Sequence, residues 1–261
     1  MAITCMLESI SNVVLRQNSD RKMKKGNKAA PEVSKAASAA SASAAAHSAN
    51  AVEGRRKYDP EETKRNILDI ATQEFSAMGL TGARVDAIAE RTNTTKRMLY
   101  YYFGNKEGLY EAVLEQVYGD IRALEQELQF AEMVPEEALR EFVGFTFDYH
   151  DKHRDFVRLV TTENIHGAKY IEQSKTFKSR NSTVVKTIED LIARGVAAGK
   201  FREDVDPIDL HLIISSMCFH RIANRHTWGA AFGRDPSGPR SRMRHREMII
   251  DSVLRFMRRE A

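Results

Sequence analysis

The sequence has few of the features that mark secreted, membrane-spanning or metal-rich proteins. Its 261 residues include two cysteines, Cys5 and Cys218, and six prolines, and no CxxC pair is present. No window approaches the roughly 18 consecutive apolar residues of a membrane span. We also find no convincing β-strand pattern. These absences predict an all-α protein in a reducing cytoplasm, without a membrane partner.

The motifs of common enzyme classes are missing as well. The chain has no Gly-rich phosphate loop, no GxSxG and no paired-carboxylate motif in a matching context. His150 and His153 with Asp151 could suggest a metal site, but zinc would need a further close ligand and such histidine spacing is common. We therefore expect no catalysis, no cofactor and no metal ion.

Charge and composition set the first 57 residues apart. Residues 1–57 hold ten Lys or Arg and four acids, whereas the whole chain has a net charge of +4. The low-complexity segment 36–46 has no large apolar side chain that could offset the entropy of ordering. We predict that 1–57 is a disordered basic, Ala/Ser-rich tail, which either assists nucleic-acid binding or keeps the protein in solution. Whether this tail belongs to the native protein is open, since Met23 is an alternative start.

Beyond this tail the apolar residues recur at helical spacing. Asp59 and Pro60 are typical of a helix start, and Gly79 of a helix end. The pattern predicts helices over 58–78, 84–91 and 95–103, followed by longer amphipathic helices, about nine in total. The first three have the lengths and short connections of a helix-turn-helix unit. We therefore predict a DNA-binding domain at 58–106 and a helical bundle at 107–261.

The third helix would place its first residues in the major groove. Arg97 could read a guanine edge, whereas Lys96 and Lys106 are better suited to phosphates. This helix also contains three adjacent tyrosines, Tyr100, Tyr101 and Tyr102. Their side chains point in directions that span about 200° around the helix axis, so a core on one side of the helix cannot accommodate all three. We expect at least two to direct their hydroxyls to the DNA backbone, while Leu99 and Phe103 pack inside.

The span 63–114 resembles the DNA-binding domain of the TetR/AcrR family of transcription regulators. The resemblance rests on ILDIATQEFSAMGL and on ARVDAIAERTNTTKRMLYYYFGNKEGLYEAVL. Asn93 replaces the usual turn glycine, although asparagine tolerates left-handed backbone angles. Arg84 stands where Ser or Thr is common. The resemblance implies that double-stranded operator DNA is contacted by Arg84, Thr95, Lys96, Arg97, Met98, Tyr100, Tyr101, Tyr102 and Lys106.

Two later stretches, 163–169 and 219–235, resemble the regulatory domain of regulators of pyrimidine use and nicotinate degradation. That resemblance implies a small effector, anionic or nitrogen-heterocyclic. Polar side chains on otherwise apolar helices could orient it, although each could instead be exposed or satisfied within the fold. The candidates are His150, His153, Asn164, His166, His220, Arg221 and Asn224.

A helix-turn-helix dimer reads two half-sites, so the family resemblance also implies a homodimer. The last two long predicted helices, 207–227 and 242–259, have wide apolar faces that could form its interface or serve the monomer core alone. The interface candidates are Met217, Phe219, Ile222, Ile249, Val253 and Phe256.

These observations predict a ligand-responsive, homodimeric repressor, with a catabolic pathway for aromatic or N-heterocyclic compounds as its setting. One alternative is an activator or a regulator that needs no ligand. Another is a helical protein-interaction module whose first helices mimic a helix-turn-helix.

Overall fold

The computed structural model describes residues 59–174 and 176–259, and within these ranges the fold is all-α, as predicted. The described residues contain eleven α-helices, one 3-10 turn and a single antiparallel bridge, between Phe201 and Arg258. The predicted tail 1–57 lies outside the described residues.

Four helices precede the 3-10 turn at Phe130–Glu132, and seven follow it. The expectation of about nine helices was low, because the segment after Asp206 holds two helices where one was predicted, and α7 was not foreseen. The helices are α1 Pro60–Gly82, α2 Val85–Arg91, α3 Lys96–Phe103, α4 Lys106–Glu127, α5 Pro135–Lys152, α6 Arg154–Ile165, α7 Lys169–Gln173, α8 Phe177–Ala197, α9 Pro207–Ala223, α10 Arg225–Phe232 and α11 Pro239–Met257.

Side-chain caps fix the predicted starts of two long helices. Oδ1 of Asp59 accepts the backbone N–H of Glu61 at 2.9 Å, and Oδ1 of Asp206 accepts that of Ile208 at 2.8 Å. In both helices a proline follows the cap, where no N–H is required. Gly79 has φ 66° and breaks the helical angles of α1, as its cap role predicted, but the helix resumes to Gly82.

Two clusters of buried apolar side chains form the core. The first joins α1–α4 to α6 and includes Ile67, Phe75, Leu99 and Val113. The second lies between α5, α8, α9 and α11. Since the first cluster contains residues from both sides of position 106, the boundary between 58–106 and 107–261 stays a prediction.

A partly buried ion-pair network connects α5, α9 and α11. Asp151 pairs with Arg221 and, at 3.0 Å, with Arg242, which also lies 2.6 Å from Asp148. The Arg221 guanidinium lies 4.1 Å from the Phe147 ring centroid. Charges buried in this way are tolerated only when paired, so the network fixes how the three helices pack.

Candidate DNA-binding surface and effector cavity

Three residues close together in the sequence fix the turn between α2 and α3. The Thr92 hydroxyl donates to the Ile88 carbonyl at 2.8 Å, and Asn93 has φ 50°. Oγ1 of Thr95 then accepts the Met98 N–H at 3.2 Å and caps α3. Asparagine in the glycine position therefore preserves the left-handed turn, as expected.

The predicted cationic contacts around α3 lie at the surface. Arg84, Lys96 and Arg97 are all exposed. The backbone N–H of Arg84 donates to Oε1 of Glu74 at 3.1 Å, which ties the start of α2 to α1. Nζ of Lys96 lies 3.2 Å from a carboxylate oxygen of Asp86. Exposed pairs of this kind contribute about 0–1 kcal/mol, so the lysine can exchange its partner for a phosphate.

The three tyrosines of α3 have different surroundings. Tyr101 is 77% exposed and Tyr100 is also at the surface. Tyr102 is partly buried against the first core, with Nζ of Lys64 5.6 Å from its ring centroid, and Leu99 is fully inside. Tyr102 is therefore the tyrosine that faces inward, and its contact with DNA stays a prediction.

The junction between α3 and α4 is tight. Oδ1 of Asn105 accepts the Gly108 N–H at 2.7 Å, and a Cβ at Gly108 would collide with the carbonyl of Phe103. Nζ of Lys106 donates to the Thr81 carbonyl at 3.1 Å, at the end of α1. Lys106 is thus half-buried at the helix junction, and its predicted phosphate contact stays a prediction.

A cavity of about 270 Å³ lies among α4, α5, α6, α8 and α9. Its walls are largely aromatic: the His150 and Phe156 rings are nearly parallel, at 10° and 5.7 Å, and Phe219 meets His150 edge-on at 5.8 Å. The lining residues are Tyr118, Ile121, Arg122, Glu125, Thr146, His150, Phe156, Val160, Asn164, Asn181, His211, Ser215, Ser216 and Phe219.

Two opposite charges from α4 reach this cavity. Nη1 of Arg122 lies 2.8 Å from Oε2 of Glu125, and the side chains are 9% and 7% exposed. The contact lacks the alignment of a hydrogen bond. Among the described residues, Nε and Nη1 of Arg122 and Nδ1 of His150 have no hydrogen-bond partner. Buried polar atoms are nearly always satisfied, so these three are suited to a bound polar group.

Burial shifts the protonation of the cavity's other titratable groups. Burial, and secondarily the charge of Arg122, lowers the pKa of His150 and of His211 to about 4. Burial raises the pKa of Glu125 to about 7, although Arg122 acts in the opposite direction. Burial also raises the pKa of Tyr118 to about 12. Both imidazoles are neutral at neutral pH, so Arg122 is the cation of this lining.

Comparison with known proteins identifies the family of this chain. Residues 67–113 match the model for bacterial regulatory proteins of the tetR family, and 135–253 match the tetracyclin repressor-like C-terminal domain. The HTH-type transcriptional repressor NicS of Pseudomonas putida is 34% identical over 206 residues, covering 79% of this chain and 97% of NicS. The chain belongs to the TetR family. It is therefore a DNA-binding transcription regulator and not an enzyme, as predicted.

Other proteins are similar to this chain in sequence or in fold. The HTH-type transcriptional regulator RutR of Escherichia coli is 30% identical over 167 residues, covering 64% of this chain and 77% of RutR. The structure of the ketosteroid transcriptional regulator KstR2 of Mycobacterium tuberculosis matches with TM-score 0.57 and 20% identity, over 76% of this chain and 95% of that one. The structure of the fatty acid degradation regulator FadR of Bacillus halodurans matches with TM-score 0.58 and 16% identity, over 76% of this chain and 97% of that one. These structures support the fold alone.

The predicted effector residues of this TetR-family chain lie in different places, and their role in ligand binding stays a prediction. His150 and Asn164 line the cavity. A second hollow, of about 530 Å³, lies between α9, α10 and α11 and is bordered by three others, His220, Arg221 and Asn224. The remaining two, His153 and His166, are exposed and line neither space. Residues that are close in sequence on α9 lie on different faces of the helix. They therefore border different spaces.

Two of the predicted interface residues are also misplaced. Ile222 and Val253 are 0% and 1% exposed within the chain's own core, so a partner cannot reach them. Met217 and Phe256 are exposed, and Ile249 is partly buried. Phe219 instead lines the cavity. An apolar stripe on a helix does not show whether its own chain or another covers it.

Sequence reasoning missed Arg122, Glu125 and His211. On α4 the face that lines the cavity includes Tyr118, Arg122 and Glu125. The spacing of four and three residues was a usable signal, because it extends the face that Val117 and Ile121 begin.

Two negative observations apply to the described ranges. No helix of 59–174 or 176–259 combines the length and apolar character needed to cross a membrane. In the same ranges, no three His, Cys, Asp or Glu side chains are grouped so that they could hold a metal ion.

Proposed function

We propose that the chain is a homodimeric transcriptional repressor that leaves operator DNA when a small molecule fills the cavity. One observation carries the proposal: α4 begins three residues after the DNA-facing helix ends, and its other end supplies the cavity's charged residues. A single helix therefore links the two surfaces that such a regulator must couple.

The DNA-binding part of the proposal rests on the exposed side of α3. Arg97 has the fork of donors that reads guanine, and Lys96 with the hydroxyl of Tyr101 suits the backbone. All three are exposed. The Thr95 cap and the Asn93 turn hold α3 in register with α2, so these contacts are presented from a rigid element.

The dimer part rests on large apolar side chains that α9, α10 and α11 leave uncovered. Large apolar side chains left exposed in this number favour an interface with a partner. A second copy of the chain is the proposed occupant, because a symmetric pair would set two α3 helices on half-sites about 34–36 Å apart. The exposed residues are Ile208, Leu212, Ile213, Met217, Trp228, Phe232, Met243, Met248 and Phe256.

The coupling part rests on how α4 is attached to α1. Nε2 of Gln116 donates to Oδ1 of Asp69 at 2.8 Å, and Lys106 bonds the end of α1. A ligand that shifts Arg122 would pull on both attachments. Allosteric coupling of this type is typically about 1–3 kcal/mol, or about 5- to 150-fold in affinity.

The aromatic walls and modest volume of the cavity favour an effector with one flat ring. Such compounds agree with a role in the catabolism of aromatic or N-heterocyclic substances, which the resemblance in 163–169 and 219–235 also suggests.

Footprinting on the DNA upstream of the protein's own gene tests the proposal. We expect two protected half-sites for the wild type and a loss of about 1–3 kcal/mol in affinity for Arg97→Ala. Lys96→Ala should weaken binding to all sequences and reduce its salt dependence. Lys186→Ala, which removes an exposed lysine from α8, is the matched control and should behave like the wild type.

Two outcomes would favour the alternatives. Absence of sequence-specific protection, with Lys96→Ala and Arg97→Ala behaving like the wild type, would support a helical interaction module. A reporter that is activated, or that responds to no added compound, would support an activator or a ligand-independent regulator.

A further inference from the structure

We propose that the effector is a flat, one-ring monocarboxylate that binds Arg122 in place of Glu125, and that Glu125 takes up one proton as the ligand enters. This inference rests on the proposed function, because it names the ligand class of the same cavity and adds a pH dependence to its binding.

The first support is the state of the Arg122 guanidinium. Its side chain is more than nine-tenths buried, yet Nε and Nη1 have no hydrogen-bond partner among the described residues. Nε and Nη1 lie on different edges of the guanidinium, so each offers a separate charged N–H donor to an oxygen of a bound carboxylate. Glu125, three residues along the same helix, approaches Nη1 without the alignment of a hydrogen bond. A carboxylate arriving from the cavity can supply the geometry that Glu125 does not.

The second support is the charge balance around Glu125. The titratable groups that face this pair are Tyr118 and Arg122 on α4, Tyr149 and His150 on α5, and His211 on α9. Burial keeps the tyrosines protonated, since it raises the pKa of both, and it keeps the two imidazoles neutral.

The lining residues from α6 and α8 include Asn164 and Asn181 and no charged side chain among those described. An anionic ligand beside an ionised Glu125 would leave two carboxylates against one buried cation, which is strongly unfavourable. Protonation of Glu125 restores one anion to one cation. Because burial has already raised the pKa of Glu125 to about 7, this proton is easily supplied at neutral pH.

The third support is the shape of the walls. The parallel His150 and Phe156 rings and the edge-on Phe219 suit a flat ring. Nδ1 of His150, which is also without a partner in the described part of the chain, could bond a ring substituent. A phosphate ester would bring up to two negative charges to a lining with one cation, so a monocarboxylate fits better.

The test compares acids with their own amides. A thermal-shift and calorimetric panel would contain one-ring monocarboxylates, each beside its carboxamide, starting with benzoate and benzamide and the pyridine carboxylates and carboxamides. We expect at least one acid to bind the full-length protein at least about tenfold more tightly than its amide, because only the acid forms the charged pair. Arg122→Gln should remove most of this preference.

Proton uptake is measured by titrating the tightest acid in buffers of different ionisation enthalpy. We expect up to one proton taken up per ligand at pH 8, and an affinity that falls up to about tenfold per pH unit above 7. Glu125→Gln should bind the acid with little pH dependence and without proton uptake. Glu127→Gln, an exposed glutamate on the same helix, should retain both.

The inference is overturned if amides bind as well as acids, if no acid of the panel binds, or if wild type and Glu125→Gln take up the same number of protons. The acid–amide comparison needs only the wild type, so it holds even if Arg122→Gln does not fold. Release of the operator by a neutral compound would leave the proposed function intact and refute this inference. Absent operator protection, with acids still bound, would do the reverse.

Discussion

Lys96 in the helix-turn-helix region and Arg221 in the following helices are both cations paired with a carboxylate, but their surroundings differ. The Lys96 and Asp86 side chains are 48% and 63% exposed, whereas those of Arg221 and Asp151 are 5% and 12% exposed. Water screens the first pair and not the second. The first region therefore keeps its cations available to a partner, and the second uses them to fix its own packing.

Arg122 belongs to neither arrangement. It is as buried as Arg221, but both Nη atoms of Arg221 donate hydrogen bonds, to the Pro236 carbonyl and to Asp151, and only its Nε has no partner among the described residues. In Arg122 both Nε and Nη1 are without a hydrogen-bond partner in the same part of the chain. Burial alone thus does not separate a structural cation from one that can bind a ligand. The number of satisfied donors does.

The largest expected effect comes from breaking the buried pair. Asp151→Ala would leave Arg221 buried without its carboxylate, and we expect a loss of about 3–5 kcal/mol in the free energy of unfolding. Urea denaturation at neutral pH measures it. Asp86→Ala, which breaks the exposed pair, is the matched control and should change stability by no more than about 1 kcal/mol. Equal losses in the two variants would contradict the comparison.

An effect of intermediate size should appear in the pH dependence of the free energy of unfolding, through two imidazoles in the helices that follow the helix-turn-helix region. The pKa of His150 and of His211 is about 4 in the folded chain and 6.5 when unperturbed. Between these values the unfolded chain binds more protons, so stability is lost as the pH falls from 6.5 to 4. We expect His150→Gln to reduce this loss by on the order of 2 kcal/mol, as measured by denaturation at pH 7 and pH 4.

Protonation of Glu125 changes the stability in the opposite direction over a similar pH range. Its folded pKa of about 7 lies above the ordinary 4.5, so the folded chain binds the extra proton and gains stability as the pH falls from 7 to 4.5. Glu125→Gln should therefore increase the acid sensitivity. The exposed His166→Gln should leave it unchanged, and an equal change in His150→Gln and His166→Gln would argue against the buried imidazole as its source.

The smallest expected effect distinguishes two neighbouring tyrosines. Tyr101→Phe removes an exposed hydroxyl and should weaken operator binding by about 1 kcal/mol, with no change in thermal stability. Tyr102→Phe alters a ring packed against the core and should leave operator affinity within about twofold. Electrophoretic mobility shifts with one operator fragment compare the two, and equal losses would place Tyr102 at the DNA after all.

The helix-turn-helix region could be predicted from the sequence because its signals are local. The Asp59 cap with Pro60, the Thr95 cap and the Asn93 turn each depend on residues within four positions of one another. Leu99 was recognised as a core residue from helical spacing, and the structure buries it. Which tyrosine faces inward required the position of α1.

The cavity could not be predicted in the same way. A polar residue that faces an internal space has the same pattern in sequence as one that faces water, so Arg122 and His211 were not recognised. Ile222 and Val253 show the converse, since apolar spacing does not identify what covers a face. Both errors arise because burial is decided by helices far apart in the chain.

The length of α4 determines how small a tilt at the cavity can be and still move the end of the helix that adjoins α3. Its 22 residues span about 33 Å at about 1.5 Å per residue. A tilt of about 7° about Arg122, which lies about 24 Å along the helix from Lys106, would displace the Lys106 end by roughly 3 Å. That displacement equals the full donor–acceptor distance of a hydrogen bond, about 2.9 Å. A rearrangement of one carboxylate in the cavity could therefore move the α3 contacts out of hydrogen-bonding range without any change within α3 itself.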